Sequence, residues 1–176
     1  MVPEITTARL HLRPLKMSDL EAYQAIVTDP RVALPAGLQL PLSDQHVANG
    51  LRADLQQPLA YAITRSLQGP LVGMVIGYEH ADALGDLDVT AVDLGYFLTP
   101  TLWGHGYMPE ALRGLLAVLV QAHSPIKTLW ATSLATNQRS QNVLSHLSFE
   151  LIDDQLVVPN PATMALERHL LYRYDL

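Results

Sequence analysis

A glycine-rich turn precedes an apolar stretch near the middle of the chain, in the segment Trp103-Gly104-His105-Gly106-Tyr107-Met108. Gly104 and Gly106 can adopt positive φ without steric cost, so consecutive backbone N–H groups can converge there on an anion. Pro109 and Glu110 follow as typical first-turn residues and mark where a helix begins. These residues predict a phosphate-binding turn at a helix N-terminus, although an ordinary turn can carry the same glycine pair.

Two predicted strands enclose this turn and its helix. The run Asp93-Leu94-Gly95-Tyr96-Phe97-Leu98 is apolar and aromatic and ends at Thr99-Pro100, which is typical of a buried strand. A second strand is predicted over 126–133. Between them an apolar stripe repeats at helical spacing, formed by Leu112, Leu115, Leu116, Leu119 and Val120. Strand, turn, helix and strand therefore form one βαβ unit.

Two other phosphate-binding loops do not fit this segment. A dinucleotide-binding loop needs G-x-G-x-x-G, and Pro109 stands where its third glycine belongs. A nucleoside-triphosphate loop needs Gly-Lys-Ser/Thr, which does not follow the turn. The sequence therefore argues against both of these nucleotide-binding loops.

The order of motifs resembles the GNAT superfamily of N-acetyltransferases, in the branch typified by the ribosomal-protein acetyltransferases RimJ and RimL. Residues 137–149 are similar to that branch's N-x-x-S-x-x-V-L-x-x-L-G-F motif, and 7–15, 18–23 and 71–77 resemble its opening strand, first helix and third strand. The resemblance implies an α/β (α+β) fold with a mixed, mostly antiparallel sheet. We expect seven twisted strands flanked by about four helices, with strands four and five splayed apart.

The resemblance also implies an acetyl-coenzyme-A-dependent N-acetyltransferase that moves acetyl directly to a primary amine. Its glycine turn would bind the coenzyme pyrophosphate, and one strand would pair with the pantetheine amides. The coenzyme-binding residues so implied are Phe97, Leu98, Thr99, Trp103, Gly104, His105, Gly106, Tyr107, Met108, Asn137 and Ser140.

Two catalytic residues follow from the resemblance, Ser140 and Asp93. The Ser140 hydroxyl would donate to the departing sulfur, and Asp93 would act as general base through a water, with Glu79 and His80 as rivals. The plainer alternatives are a first-turn helix residue capped by Asn137 and a turn aspartate. Tyr96 has the plain interpretation of a core aromatic.

The sequence departs from the superfamily pattern at four positions. Trp103 replaces the first residue of the coenzyme loop, as is usual in the resembled branch. Met108 replaces the small last residue of the coenzyme loop, where the backbone does the binding. Leu144 occupies the position where many members carry a tyrosine general acid, so that role is vacant. Ser148 replaces a glycine before Phe149 and is expected to weaken a helix cap.

Composition suits a compact enzyme of 176 residues, predicted as one domain over 1–176, with 49% hydrophobic residues and a net charge of −6. The chain has no cysteine, and its histidines show no metal-ligand spacing, so we expect no metal cofactor. We also expect a cytoplasmic location, with no nucleic-acid or membrane partner, and leave a homodimer open. The expected partners are acetyl-coenzyme A and an amine acceptor, either a protein N-terminus or a small molecule.

Outside these motifs the sequence predicts a helix over 43–55, irregular loops over 29–42 and 155–167, and an acidic hairpin over 80–92. Two other functions remain open at this point. A non-catalytic acyl-coenzyme-A-binding or regulatory module would keep the fold without turnover. A coenzyme-free interaction domain would leave the glycine turn idle.

Overall fold

The computed structural model describes residues 3–82, 84–160 and 164–176. Eight strands form one sheet, and their bounds are β1 (Ile5–Thr6), β2 (His11–Pro14), β3 (Leu59–Thr64), β4 (Gly73–Ala81), β5 (Leu87–Leu98), β6 (Thr128–Leu134), β7 (Glu150–Pro159) and β8 (Leu166–Asp175). The order across the sheet is β1-β2-β3-β4-β5-β6-β8-β7. Every pair is antiparallel except β5–β6, so the mixed, mostly antiparallel sheet is confirmed. The count is eight rather than seven, with two-residue β1 paired to β2.

Five α-helices flank this sheet, with bounds α1 (Leu20–Val27), α2 (Pro30–Ala33), α3 (Asp44–Asp54), α4 (Tyr107–Gln121) and α5 (Gln138–His146). The apolar face of α4 packs with β3, β5 and β6 in one core cluster, and α1 and α3 pack with β4 in another. The sheet thus lies between two helical layers. No helix in the described part of the chain is both long and apolar enough to cross a membrane.

The layer of α1 and α3 is tied to the sheet through a buried carboxylate. Tyr23 of α1 donates a hydrogen bond of 2.8 Å to Asp54 at the end of α3, and Tyr78 of β4 donates one of 3.3 Å. Ser43 caps α3 by accepting from the His46 N–H, which confirms the predicted start of this helix. The Asp54 carboxylate therefore joins α1, α3 and β4 through two hydrogen bonds.

Two predicted loops contain regular structure instead. The 29–42 segment includes α2, because Asp29 accepts from the Arg31 N–H and Pro30 fits the first helical position. The 155–167 segment is mostly the ends of β7 and β8. β7 is an edge strand whose side chains are largely exposed, so it lacks the apolar alternation that predicts a strand.

Residues 161–163 of the second loop lie outside the described residues, as does Ala83 of the predicted acidic hairpin. That hairpin is present as the connection between β4 and β5, whose ends pair at Ala81 and Leu87. The strands on either side therefore extend further than the sequence predicted.

The sheet divides between β5 and β6. Only three residue pairs join these parallel strands, and the last of them is Asp93 with Trp130. Beyond that point residues 94–98 stay paired with β4, whereas 131–134 stay paired with β8. The predicted splay is confirmed, and it opens a wedge-shaped gap that we call the strand gap.

A strained residue lies two positions after the end of α5. Ser148 has φ 62°, in the left-handed region, where the family motif has glycine. The Ser148 N–H still donates to the Ser145 carbonyl at 3.1 Å, so the turn closes despite the side chain. The departure at this position therefore places a Cβ where the backbone conformation disfavours one.

We predict that Ser148→Gly stabilises the protein by about 1 kcal/mol, because it removes this backbone strain. The free energy of unfolding in urea measures the change. The matched control is Ser145→Gly within α5, which should destabilise by about 0.5 kcal/mol, because glycine has a lower helix propensity than serine. Equal losses in both variants would contradict the strain at Ser148.

Candidate functional site

One edge of β5 is open along the strand gap. The Thr99 N–H donates to the Val72 carbonyl at 2.9 Å, on the β4 side. Backbone N–H and C=O groups alternate in direction along a strand. Those of Leu94, Tyr96 and Leu98 therefore point away from β4 and into the gap. The Leu98 carbonyl accepts from the Trp103 indole N–H at 2.9 Å. The remaining groups of this edge can pair with an extended ligand.

The glycine turn lies at the N-terminus of α4. Gly104 has φ 77° and Gly106 has φ 74°, as their predicted role in a tight turn requires. Within the described residues, the N–H groups of 104–108 form no hydrogen bond. Met108 is buried, so only its backbone can face a ligand. Free N–H groups at a helix N-terminus form a site for an anion.

Three arginines surround this turn although the protein is acidic overall. The guanidinium carbons of Arg9 and Arg65 lie 4.4 and 5.8 Å from the centre of the Tyr107 ring. That of Arg139 lies 4.5 Å from the centre of the Trp103 ring. The aromatic residues of the turn thus hold cations beside its free N–H groups. Charge and backbone geometry favour the same kind of ligand, an anion.

Glu110 fixes the start of α4 against the N-terminal segment. Its carboxylate accepts from the Thr7 hydroxyl at 2.5 Å, from the Arg9 N–H at 2.8 Å and from Arg9 Nε at 2.6 Å. Desolvation acts to raise the pKa of Glu110, but these hydrogen bonds outweigh it and hold the pKa below its ordinary value. Arg9 also donates to the His105 carbonyl at 2.9 Å, which orients the turn itself.

A pair of hydroxyls lies across the strand gap. The Tyr96 hydroxyl of β5 is 2.6 Å from Ser140 Oγ of α5. The Asn137 side chain accepts from the Ser140 N–H at 3.2 Å, so Asn137 is the N-cap of α5. Burial raises the pKa of the Tyr96 phenol to about 12. Tyr96 is therefore more than the core aromatic that the sequence indicated.

A histidine and a carboxylate meet at the narrow end of the gap. His80 Nδ1 lies 3.1 Å from each oxygen of Asp93, and the His80 ring stacks on Trp130 with centroids 5.6 Å apart. The rival Glu79 pairs with Val92, the neighbour of Asp93, so its side chain points to the opposite face. Of the three base candidates, the structure joins Asp93 and His80 and separates Glu79.

Asp93 and Ser140 lie on different sides of the strand gap. Asp93 and Tyr96 are three residues apart on β5, so their side chains point to opposite faces of the sheet. Ser140 accompanies Tyr96 on the α5 side, whereas Asp93 and His80 lie on the side of α1 and α3. The Asp93–His80 pair and the Tyr96–Ser140 pair therefore lie on opposite faces of the sheet.

Comparison with known proteins gives a family match. A family model described as an acetyltransferase (GNAT) domain matches residues 9–150. No curated protein matches the sequence.

Solved structures share the fold. A GNAT-family acetyltransferase from Bacillus anthracis is 16% identical with a TM-score of 0.80, and 98% of each chain is covered. An acetyl transferase from Salmonella typhimurium that modifies the N-terminal serine of 50S ribosomal subunit protein L7/L12 is 17% identical, with a TM-score of 0.77 and 99% of each chain covered. RimJ from Mycobacterium smegmatis, in complex with CoA-disulfide, is 22% identical with a TM-score of 0.72, covering 98% of this chain and 87% of its own.

The family model spans β2, the glycine turn, the strand gap and α5. Structures of very different sequence share the fold over nearly the whole chain. The chain belongs to the GNAT family of acetyltransferases.

Proposed function

We propose that the protein is an acetyl-coenzyme-A-dependent N-acetyltransferase whose acceptor is the α-amino group of a protein N-terminus. The observation that carries the proposal is the strand gap. It connects an anion site at the glycine turn with the Ser140 hydroxyl on one face and the Asp93–His80 pair on the other. A thioester that enters along this path presents its carbonyl between the two.

The coenzyme is assigned to the turn and the open edge of β5. Its pyrophosphate would accept from the N–H groups of 104–108, with the nearby guanidinium groups adding positive charge. Its pantetheine amides would pair with the backbone groups of Tyr96 and Leu98 that face the gap, like an added strand. The backbone groups of Phe97 and Thr99, which the resemblance also implied, face β4 instead. The Leu98 carbonyl is already bonded to Trp103, so the Leu98 N–H is the better partner there. Asn137 lies at the start of α5, beside the same path.

Acetyl transfer then needs no covalent enzyme intermediate. The amine nitrogen attacks the thioester carbonyl carbon, forming the C–N bond, and the C–S bond breaks to release the coenzyme thiolate. The amine proton passes to the Asp93–His80 pair. The Ser140 hydroxyl donates a hydrogen bond to the departing sulfur, where negative charge develops. The thiolate takes a proton from water after it leaves.

The Asp93–His80 pair is assigned as the general base. With its Nδ1–H donated to Asp93, the imidazole of His80 presents a basic Nε2, which has no hydrogen-bond partner in the described part of the chain. Asp93 then holds the ring and stabilises the imidazolium that forms. The carboxylate predicted from the sequence keeps a role, but it shares that role with His80.

The acceptor class rests on two observations. One structural relative carries a name that specifies an N-terminal serine of a ribosomal protein. The net charge of −6 favours a basic acceptor or a basic protein that carries it. Small amines are the other outcome of the test below, and the predictions of one domain and a cytoplasmic location remain predictions.

The proposal is tested by thiol release from acetyl-coenzyme A in the presence of peptides. A peptide with a free N-terminal serine followed by basic residues should release thiol, and the same peptide with a blocked N-terminus should not. Spermidine serves as the small-amine comparison. Thiol release with spermidine alone would move the acceptor to small amines. No release with any amine would favour the non-catalytic acyl-coenzyme-A-binding module.

Gly106→Ala should weaken acetyl-coenzyme A binding. Its φ of 74° disfavours a Cβ, so the variant distorts the turn and loses stability of about 1–2 kcal/mol. Gly37→Ala is the matched control, because Gly37 also has φ 74° and has nothing within 4 Å of an added Cβ. Saturating acetyl-coenzyme A, at about 100 times Kd, should stabilise wild type and Gly37→Ala by ~2.7 kcal/mol in thermal melts. Equal stabilisation of Gly106→Ala by acetyl-coenzyme A would show that the coenzyme does not bind at the turn.

Asp93→Asn and His80→Gln should each lower kcat/KM by about 100-fold, since each removes the general base or its support. The loss should be largest at low pH and recover partly as pH rises, because more of the amine is then unprotonated. Acetyl-coenzyme A affinity should stay unchanged in both variants, which separates proton transfer from binding. A normal pH–rate profile for His80→Gln would return the role to Asp93 acting through water.

A further inference from the structure

We propose that Tyr96 is a positioning residue that turns the Ser140 hydroxyl toward the departing sulfur. This inference rests on the proposed function and adds a residue to it. Tyr96 lies on β5, within the open part of the strand gap, and its ring packs against the core beside α4. Its hydroxyl reaches Ser140 across the gap. No other hydrogen bond links the Ser140 hydroxyl to a described residue.

The contact allows two hydrogen-bond arrangements. In one, Ser140 donates to the Tyr96 oxygen, and Tyr96 donates to the Ser140 carbonyl at the longer distance of 3.3 Å. In the other, Tyr96 donates to Ser140 Oγ over 2.6 Å, and the hydrogen of Ser140 is then free to point into the gap. A sulfur that gains negative charge favours the second arrangement, because it needs the hydrogen of Ser140.

Donation from Tyr96 strengthens the hydrogen bond from Ser140. A hydroxyl that accepts one hydrogen bond is polarised and donates the next more strongly. Tyr96 keeps its proton throughout, because its pKa of about 12 lies well above that of a thiol, about 8.5. The thiolate therefore leaves as an anion held by Ser140, and no proton moves from Tyr96.

This arrangement supplies a phenol at the reacting sulfur by a different route from the usual one. The helix position where many family members carry a tyrosine is Leu144, which is fully buried and cannot donate. Tyr96 approaches from the facing strand and acts through Ser140 rather than directly. The site therefore has an aromatic hydroxyl beside Ser140, one turn of α5 before Leu144, although Leu144 itself is not a tyrosine.

The test is a double-mutant cycle on the kinetics of thiol release from acetyl-coenzyme A. The acceptor is whichever of the free N-terminal serine peptide and spermidine reacts faster. Tyr96→Phe should lower kcat about tenfold, the effect of one hydrogen bond, with the KM for acetyl-coenzyme A changed less than about twofold. In a Ser140→Ala background, Tyr96→Phe should change kcat by less than about twofold, because Tyr96 then has nothing to position.

The matched control is Tyr61→Phe, which removes a buried phenol hydroxyl on β3, two strands away from β5, where it donates to the Pro3 carbonyl. It should leave kcat unchanged. An unaffected kcat in Tyr96→Phe would overturn the proposal, and so would losses that multiply in the double variant. A purely structural Tyr96 would instead raise KM, lower the melting temperature and keep its effect without the Ser140 hydroxyl.

If Tyr96→Phe does not fold, 3-fluorotyrosine at position 96 keeps the hydroxyl and makes it a stronger donor. Its kcat at neutral pH should equal or exceed that of wild type, and its fluorine resonance should move on Ser140→Ala but not on Ser145→Ala. A lower kcat or a fixed resonance would overturn the proposal. Wild type that releases no thiol would overturn the proposed function itself. Active wild type with an unaffected Tyr96→Phe would overturn only this inference.

Discussion

The structure depends on where the pairing between β5 and β6 stops. These parallel strands share three residue pairs, after which each remains bonded to its other neighbour. The crossover through α4 places a helix N-terminus beside the end of β5, and α5 follows directly after β6. An open strand edge, an anion site and a hydroxyl-bearing helix therefore converge on one gap. Had the pairing continued to Leu98, the sheet would close and no path for a thioester would remain.

Local charge runs against the overall charge of the protein. The net charge is −6, yet Arg9, Arg65 and Arg139 all lie against the aromatic residues of the glycine turn. Glu110 is an acidic residue beside these arginines. Its carboxylate accepts hydrogen bonds from Thr7 and Arg9, and these bonds anchor the start of α4. The three guanidinium groups therefore provide positive charge at the turn in a protein of net negative charge.

Turns and caps that depend on residues close together in the sequence were predictable. Contacts between residues far apart in the sequence were not. The glycine turn, the Ser43 cap and the Asn137 cap each follow from residues a few positions apart. Tyr96 and Ser140 are 44 residues apart in the sequence, and their hydroxyls meet only because α5 packs beside β5 in the folded protein. His80 reaches Asp93 because the β4–β5 pairing shifts after Glu79, and no sequence signal marked that irregularity. β7 was missed because an exposed edge strand has no buried face to impose alternation.

The carboxyl group of Asp54, beneath α1 and α3, couples its own contribution to folding to proton uptake. Burial raises the pKa of Asp54, although the hydrogen bonds from Tyr23 and Tyr78 act to lower it. Its contribution to stability is therefore complete below the unfolded-state pKa and declines as pH rises through the folded value. Glu110 has the reverse linkage, because its lowered pKa gives a contribution that is lost as pH falls. Acid thus strengthens the helical layer on one face of the sheet while it loosens the anchorage of α4 on the other.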